Sequence, residues 1–395
     1  MRILVINGGS SGLKVTLREL PALAPQPPLW DARVDWGRRP GKAAVRVETA
    51  SGARRDWELD IASPEAVLAP VLDALGDFHK IDVVGHRVVH GGRAFRQTTR
   101  VTPEVKAEIG KLAHFAPEHN RLELEAIEAA ERAFPGVLQI AVFDTAFHAT
   151  LPEAAYVYPG PYDWVASQGI RRYGFHGISH QYTSRRAAGM LGRDGAPLRL
   201  ITCHLGNGAS LAAVRDGRSI DTTMGFTPLE GLMMGTRSGS IDPGIVIHLV
   251  RHCGYSADRL DQILNKESGL KGVSGVSQDM REIIAAMNGG EARARLAFDV
   301  YMHRLCQEIG SMLASLGGLD ALVFAAGIGE NCALVRDLAC RRFAFLGVKL
   351  DPERNARPAG DCDISAADSR VKVLVIHTEE DWEIARECYR MAGER

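Results

Sequence analysis

The chain has 395 residues, 46% hydrophobic and 24% charged, with a formal net charge of -1. That length and apolar content suffice for a large core and about two domains, and the near-zero charge leaves no electrostatic footprint for nucleic acid or an acidic membrane. No apolar run approaches the roughly 20 residues of a membrane span, the first stretch reads as a strand rather than a leader, and seven scattered cysteines without a C-x-x-C pair fit reduced thiols in a cytoplasm.

The first element is ILVINGGSSGLKVTLREL (3–20), two apolar runs around a Gly/Ser turn. It is not a Walker loop, because Gly12, Leu13, Lys14 and Val15 follow one another where Gly-Lys-Ser/Thr is required. Leu13, Val15 and Leu17 alternate with Lys14, Thr16 and Arg18, so the stretch predicts a β-hairpin whose turn can aim N–H groups and hydroxyls at an anion. In the Pro-, Arg- and Trp-rich stretch 21–64, AAVRVE (43–48) and DWELDI (56–61) read as edge strands. IDVVGHRVVHGG (81–92) reads as a strand entering a Gly-Gly turn. Thr102 and Pro103 then supply the N-cap and first position of a helix with Val105, Ile109 and Leu112 on one face. A helix after Asn120, with Leu124, Ile127 and Phe134 as its stripe, stops at Pro135-Gly136 before the buried strand VLQIAVFD (137–144).

LITCHLGNGASLAAV (200–214) repeats the opening pattern: a strand, a turn of Gly206, Asn207 and Gly208, then an alternating strand containing Ser210. The two hairpins suggest a duplicated phosphate-binding fold. An amphipathic helix over Ala292–Leu316, with Leu305, Ile309, Met312, Leu313 and Leu316, ends at Gly317-Gly318. ALVFAAGIGEN (321–331) is a buried strand running into a glycine turn where backbone could approach a nucleotide, and VKVLVIHT (371–378) is a last strand. Strands alternating with helices predict α/β layers.

The ionisable residues near glycine turns are Arg87 in GHRVVHGG, Asp144 in VFDTAFH, His176 in RRYGFHGISH and Arg237 in MMGTRSGS. Singly, a buried arginine is often an interior ion pair and an aspartate at a strand end is often a helix cap. Together, at strand ends beside two hairpins, they point to a ligand site. His176/His180 and His86/His90 stand four apart, but neither pair carries the Glu of a HExxH zinc site, and the second pair lies on a predicted strand.

NGGSSGLK, GHRVVHGG, FDTAFH, RRYGFHGISH, CHLGNGASL with DGRSIDTTMGFTPLEGLMMGTRSG, and GIGEN resemble the motifs of the acetokinase family, in the family's order and over nearly the whole chain. The resemblance implies an α/β protein of the actin-like superfamily of sugar kinases and heat-shock chaperones, with two ribonuclease-H-like domains and a central cleft. It divides the chain into 1–147 plus 382–395 and a nucleotide-binding and dimerisation domain 148–381. It implies reversible, direct in-line transfer of the γ-phosphoryl group of ATP to acetate, giving acetyl phosphate and ADP in a cytoplasmic homodimer. Another short-chain acid such as propionate is the alternative acceptor. A non-catalytic actin-like ATPase, the remoter alternative, has no reason to keep two arginines at an acceptor pocket.

By the same resemblance Asn7 and Glu380 help hold Mg²⁺ (or Mn²⁺). Arg87 and Arg237 face the acetate and the phosphoryl group in flight, His176 stabilises that group, and Asp144 serves catalysis. Lys14, Ser10, Asn207 and Gly208 belong to the phosphate hairpins, and Asp279, Arg281, Gly327, Ile328 and Asn331 to the adenosine pocket. Val89, Phe175 and Pro228 line the acetate methyl, His204 counts with the cofactor-binding residues, and His119 lies near the active site. A carboxylate of pKa ~4 is already a nucleophile, so this transfer calls for cations rather than a base, and Asp144 is expected to position rather than accept a proton. The chain departs from the family pattern at Gly12, Ser240, Ala326 and Glu379, and at Glu118 and Arg121 of the acyl pocket. A carboxylate at Glu118 is expected to pair at the pocket rim or to weaken acetate binding.

Overall fold

The computed structural model describes residues 1–9, 12–21, 25–39, 41–60, 67–76, 80–112 and 120–393. Two compact units share the chain: unit one comprises Met1–Ala149 and Glu379–Arg395, and unit two comprises Thr150–Thr378. Unit one is built on β1 (Arg2–Gly9), β2 (Gly12–Glu19), β3 (Trp30–Arg39), β4 (Lys42–Thr49), β5 (Arg54–Asp60), β6 (Val83–Val88), β7 (Thr99–Arg100) and β8 (Leu138–Phe143). Their order across the sheet is β5-β4-β3-β2-β1-β6-β8-β7. Unit two carries β9 (Arg199–Leu205), β10 (Ala209–Arg215), β11 (Arg218–Thr222), β12 (Ala321–Ala325), β13 (Cys362–Asp363) and β14 (Lys372–Val375), ordered β11-β10-β9-β12-β14-β13.

The repeat read from the two hairpins is a repeat of topology. In unit one β3, β2 and β1 run antiparallel in series and β1, β6 and β8 run parallel. In unit two β11, β10 and β9 are antiparallel in series and β9, β12 and β14 parallel. Parallel neighbours need long crossovers, and the helices fill them. One is Asn120–Ala133, which packs on β6. Another is Ala292–Leu316, bounded as its sequence predicts, with Phe298, Leu305, Ile309, Met312 and Leu316 buried at helical spacing. Leu313 is only half-buried at the margin of that stripe. The Pro103–Lys111 helix starts on Thr102, whose side chain accepts from the Val105 N–H.

Two expectations are corrected. AAVRVE is not an edge strand: β4 is hydrogen-bonded to both β3 and β5, and β5 alone of the two lies at the edge. Ala43, Val45 and Val47 are buried and their neighbours exposed, a pattern that reports one wet face and is blind to whether both edges are paired. GIGEN is not an open turn but lies in a short helix, Ala326–Asn331, entered through the left-handed Ala326 at φ 63°.

His86 is 1% exposed on β6, with Nε2 2.8 Å from Gln139 Oε1 and Nδ1 without a hydrogen-bond partner. Burial pushes its pKa down to about 4, against the pull of Gln139 and the Glu131 charge. A base whose folded pKa is depressed binds more protons unfolded, so its contribution is complete above pH ~6.5 and is lost as pH falls toward about 4. The loss is on the order of 3 kcal/mol. Urea unfolding at pH 7 and pH 4.5 is expected to show this loss, and a folded His86→Gln variant to show a slope shallower by about one proton. Equal slopes would assign the acid sensitivity to other groups.

Candidate active site

In unit one, strand register aligns a row of polar side chains. Asn7 is paired with Lys14 across the β1–β2 hairpin, Ile6 pairs with His86 on β6, and Arg87 pairs with Val142 on β8. Because side chains alternate between faces, Lys14, Asn7, Arg87 and Asp144 emerge on one face at the strand ends. The helix Glu380–Gly393 packs along that face. Gly85 admits it, since a Cβ there would stand 2.5 Å from Cys388 Sγ.

The geometry is tight. Arg87 Nη2 donates to Asp144 Oδ2 at 2.7 Å, and its Nη1 to Gly8 O at 3.0 Å and Asn7 Oδ1 at 3.5 Å. Burial disfavours the guanidinium charge, but Asp144 and Glu380 outweigh it and hold the Arg87 pKa above its ordinary value. Asn7 Nδ2 donates to Asp381 Oδ1 at 3.0 Å and Glu380 Oε2 at 3.4 Å. Lys14 Nζ lies 2.5 Å from Asp381 Oδ2. The extra carboxylate of Glu379 is neutralised by buried Arg18 at 2.9 Å. Val89 is buried, and its N–H donates to Glu123 Oε2 at 2.9 Å. Burial, opposed by that bond and by Arg87, lifts the Glu123 carboxyl pKa to about 8. Ser10, Glu118 and His119 lie outside the described residues; Arg121 is exposed, 3.8 Å from Glu125.

In unit two the β9–β10 hairpin tip is the organising feature. His176 N-caps the Gly177–Met190 helix in the left-handed region, φ 54°. Its Nδ1 lies 2.9 Å from Ser210 Oγ, which also meets His180 Nε2 at 2.8 Å; His180 Nδ1 meets Thr202 Oγ1 at 2.7 Å. Both nitrogens of His180 are thus engaged, against a zinc role for that pair. The His176 ring stacks on His204 at 4.2 Å, and His204 Nδ1 lies 2.8 Å from Ser179 Oγ. Gly208 allows close approach: a Cβ there would stand 2.7 Å from Arg237 Nη2 and 3.4 Å from His176 Nε2. Arg237 Nη1 donates to Pro228 O at 2.6 Å, and burial lowers the Arg237 pKa. Phe175 is buried and Pro228 half-buried.

A cavity of about 720 Å³ beside this tip is lined by Asn207, Asp279, Arg281, Gly327, Ile328 and Asn331 among others. The residues expected at an adenosine pocket therefore do converge. Asp279 also N-caps the Met280–Asn288 helix and pairs with exposed Arg281 at 2.5 Å, and Asn331 Nδ2 donates to Gly327 O.

Sequence reasoning missed Asp381, Glu123 and Ser210. Asp381 had a signal in the acidic run Glu379-Glu380-Asp381 at a helix start. Glu123 had one in its spacing, because Asn120, Glu123, Ile127 and Ala130 form the buried face of their helix. Ser210 stood in the predicted second hairpin, but its bonds to His176 and His180 are contacts that no linear spacing displays.

The model of the acetokinase family matches residues 2–386. The chain is 58% identical over 403 residues to the acetate kinase of Gloeobacter violaceus and 56% over 404 residues to that of Nostoc sp. (strain PCC 7120), with 99% of each chain covered in both cases. Among solved structures it resembles Porphyromonas gingivalis acetate kinase (TM-score 0.89, 40% identity, 99% of both chains). It also resembles a propionate kinase from Francisella tularensis (TM-score 0.90, 36% identity, 98% and 99% of the two chains). The fold is the actin-like one of these neighbours, built from two ribonuclease-H-like units.

Ala326, where the family pattern has glycine, sits at φ 63° where its strand meets the cavity wall. That region costs an L-residue roughly 1–2 kcal/mol, while glycine loses roughly 0.4–1 kcal/mol through its freer unfolded chain. Ala326→Gly is therefore expected to raise stability by about 0.5–1 kcal/mol in urea unfolding. A loss of stability would show that the methyl packing outweighs the strain.

Proposed function

The chain belongs to the acetokinase family, and on that premise we propose that it transfers the γ-phosphoryl group of ATP reversibly to acetate, giving acetyl phosphate and ADP. The observation that carries this reading is the state of the site's cations. Arg237 is held by a neutral carbonyl, and its charge is left for an anion. Arg87 is aimed by Asp144, whose commitment to that ion pair suits a positioning group and not a proton acceptor. An acetate ion needs no base, but two anions must be brought together and charge held on three equatorial oxygens. Arg87 and Arg237 are assigned to that task with His176, Lys14 and the hairpin N–H groups. Asn207 and Gly208 serve the phosphates, and the cavity with Asp279, Arg281, Gly327, Ile328 and Asn331 serves the adenosine. Val89, Phe175 and Pro228 line the acyl group.

Asn7, Glu380 and Asp381 gather one amide and two carboxylates, the hard oxygen donors that suit Mg²⁺ or Mn²⁺. Among the described residues no group of three or more His, Cys, Asp or Glu could hold a metal ion alone, which agrees with a cation that keeps waters and nucleotide oxygens as ligands. Asn7, Glu380 and Asp381 would hold such an ion, which would offset the negative charge of the phosphates.

The working form proposed is a cytoplasmic homodimer. All seven cysteines are free, which supports a reducing compartment. No helix of the described residues is long and apolar enough to cross a membrane. The helix Pro243–Cys253 buries none of its residues and leaves Ile245, Ile247 and Val250 about half exposed on more than one side, apolar surface that a second copy would cover.

Arg87→Ala and Arg237→Ala are each expected to lower kcat for acetate and ATP by roughly 10²-fold or more, as for other lost transition-state donors. Near-normal turnover in both would overturn the assignment, and propionate and butyrate in the same assay measure the acyl preference. Light scattering at micromolar concentration is expected to give a dimer mass for the wild type and a monomer mass for Ile247→Glu. A monomeric wild type would remove the dimer.

A further inference from the structure

Loop 222–230 of unit two is wrapped around three side chains that no step above uses. Arg172 Nη1 donates to the carbonyls of Thr222, Thr223 and Met224 at 3.0, 3.0 and 3.1 Å. Its Nη2 donates to Glu230 Oε1 at 2.7 Å. Tyr158 donates its hydroxyl proton to Glu230 Oε2 and accepts from the Phe226 N–H at 2.9 Å. The three side chains therefore hold both ends and the middle of the loop. Gly225 is where the loop passes closest, since a Cβ there would stand 1.7 Å from Glu230 Oε2 and 2.1 Å from Tyr158 Oη.

The loop reaches the site on two sides. Its Gly225 carbonyl accepts from the N–H groups of Tyr173 and Gly174 at 3.0 and 3.2 Å, directly before Phe175 and the left-handed His176. Its Pro228 carbonyl accepts from Arg237 Nη1 at 2.6 Å. That carbonyl is the one acceptor recorded for the Arg237 side chain among the described residues, so the position of this guanidinium follows the loop.

We propose that Arg172, Glu230 and Tyr158 are positioning residues that fix loop 222–230 and, through Gly225 and Pro228, set the placement of His176 and Arg237. The cost of error is steep, because a displacement of about 1 Å at a reacting centre lowers rates by as much as ~10²-fold. The bonds are also suited to holding one geometry: a planar guanidinium spans three carbonyls and a carboxylate, which a lysine cannot do. The proposal rests on Arg237 acting at the transferred phosphoryl group.

The test uses Tyr158→Phe and Glu230→Gln, each in the wild-type background and in an Arg237→Lys background, assayed with acetate and MgATP. Tyr158→Phe is expected to lower kcat by roughly 10-fold with an unchanged KM for ATP. In the Arg237→Lys background the same change is expected to cost clearly less, because the part of its action that runs through Pro228 and Arg237 is already gone and only the Gly225 route to His176 remains. Glu230→Gln, which keeps an oxygen for Arg172, is expected to fall between wild type and Tyr158→Phe. An unchanged kcat in both variants overturns the proposal, as does an equal factor in the two backgrounds, which marks a merely structural role. Wild-type turnover by Arg237→Lys would instead strike the assignment of Arg237, and the clamp would then stand or fall on the single variants alone.

Discussion

The constraint on which the rest depends is the cost of keeping guanidinium groups out of water. Removing such a charge from solvent costs several kcal/mol unless it is paired and hydrogen-bonded. Buried cations of the chain meet that cost in two ways. In unit one the cations of the site region are matched by carboxylates: Arg87 by Asp144, Lys14 by Asp381 and Arg18 by Glu379. In unit two Arg237 and Arg336 are held by neutral oxygens, Pro228 O for the first and the Gly329, Glu330 and Asn355 oxygens for the second. Burial pulls both pKa values down. A cation solvated by carbonyl dipoles keeps its full charge for an incoming anion, whereas one already paired offers chiefly its direction. Arg336 spends that charge on the Ala326–Asn331 helix end and so shapes the cavity wall; Arg237 keeps it at the hairpin tip.

Register does the placing. A one-residue slip of β1 against β2 or β6 would move Asn7 to the opposite face and break the row that joins Lys14, Asn7 and Arg87. The buried residues of β1 and β2, among them Leu4, Ile6, Val15 and Leu17, hold that register because their faces are committed to the core. The geometry of the candidate site in unit one is thus a by-product of core packing. Its precision comes from strands, and the helix Glu380–Gly393 only adds carboxylates to it.

Local pattern made much of this legible in the sequence. Both hairpins, the Thr102–Pro103 helix start and the limits of the Ala292–Leu316 helix are local features, set by alternation, capping chemistry and terminal glycines. The residues at motif positions also converge, with Arg87 on Asp144 and Arg237 beside Gly208. What escaped was non-local. The interior place of β4 depends on a partner strand, which one-faced alternation cannot reveal. Glu123 looked like one more charge on a charged helix because burial of a carboxyl shows only when the face is known. The helix at GIGEN escaped because glycine permits a turn without requiring one.

The histidine relay of unit two shows how such non-local contacts decide chemistry. Thr202 Oγ1 lies within reach of Ala212 O at 3.5 Å, and donating there leaves it to accept from His180 Nδ1–H. His180 Nε2 is then the acceptor of the Ser210 hydroxyl, and Ser210 Oγ accepts from His176 Nδ1–H. Protons are assigned here from the bonding pattern, each hydroxyl having one to give. The bond to Ser210 fixes the ring so that its Nε2 edge stands beside Gly208 and the Arg237 guanidinium. Backbone strain at His176, φ 54°, is held in place by this relay and by the stack on His204.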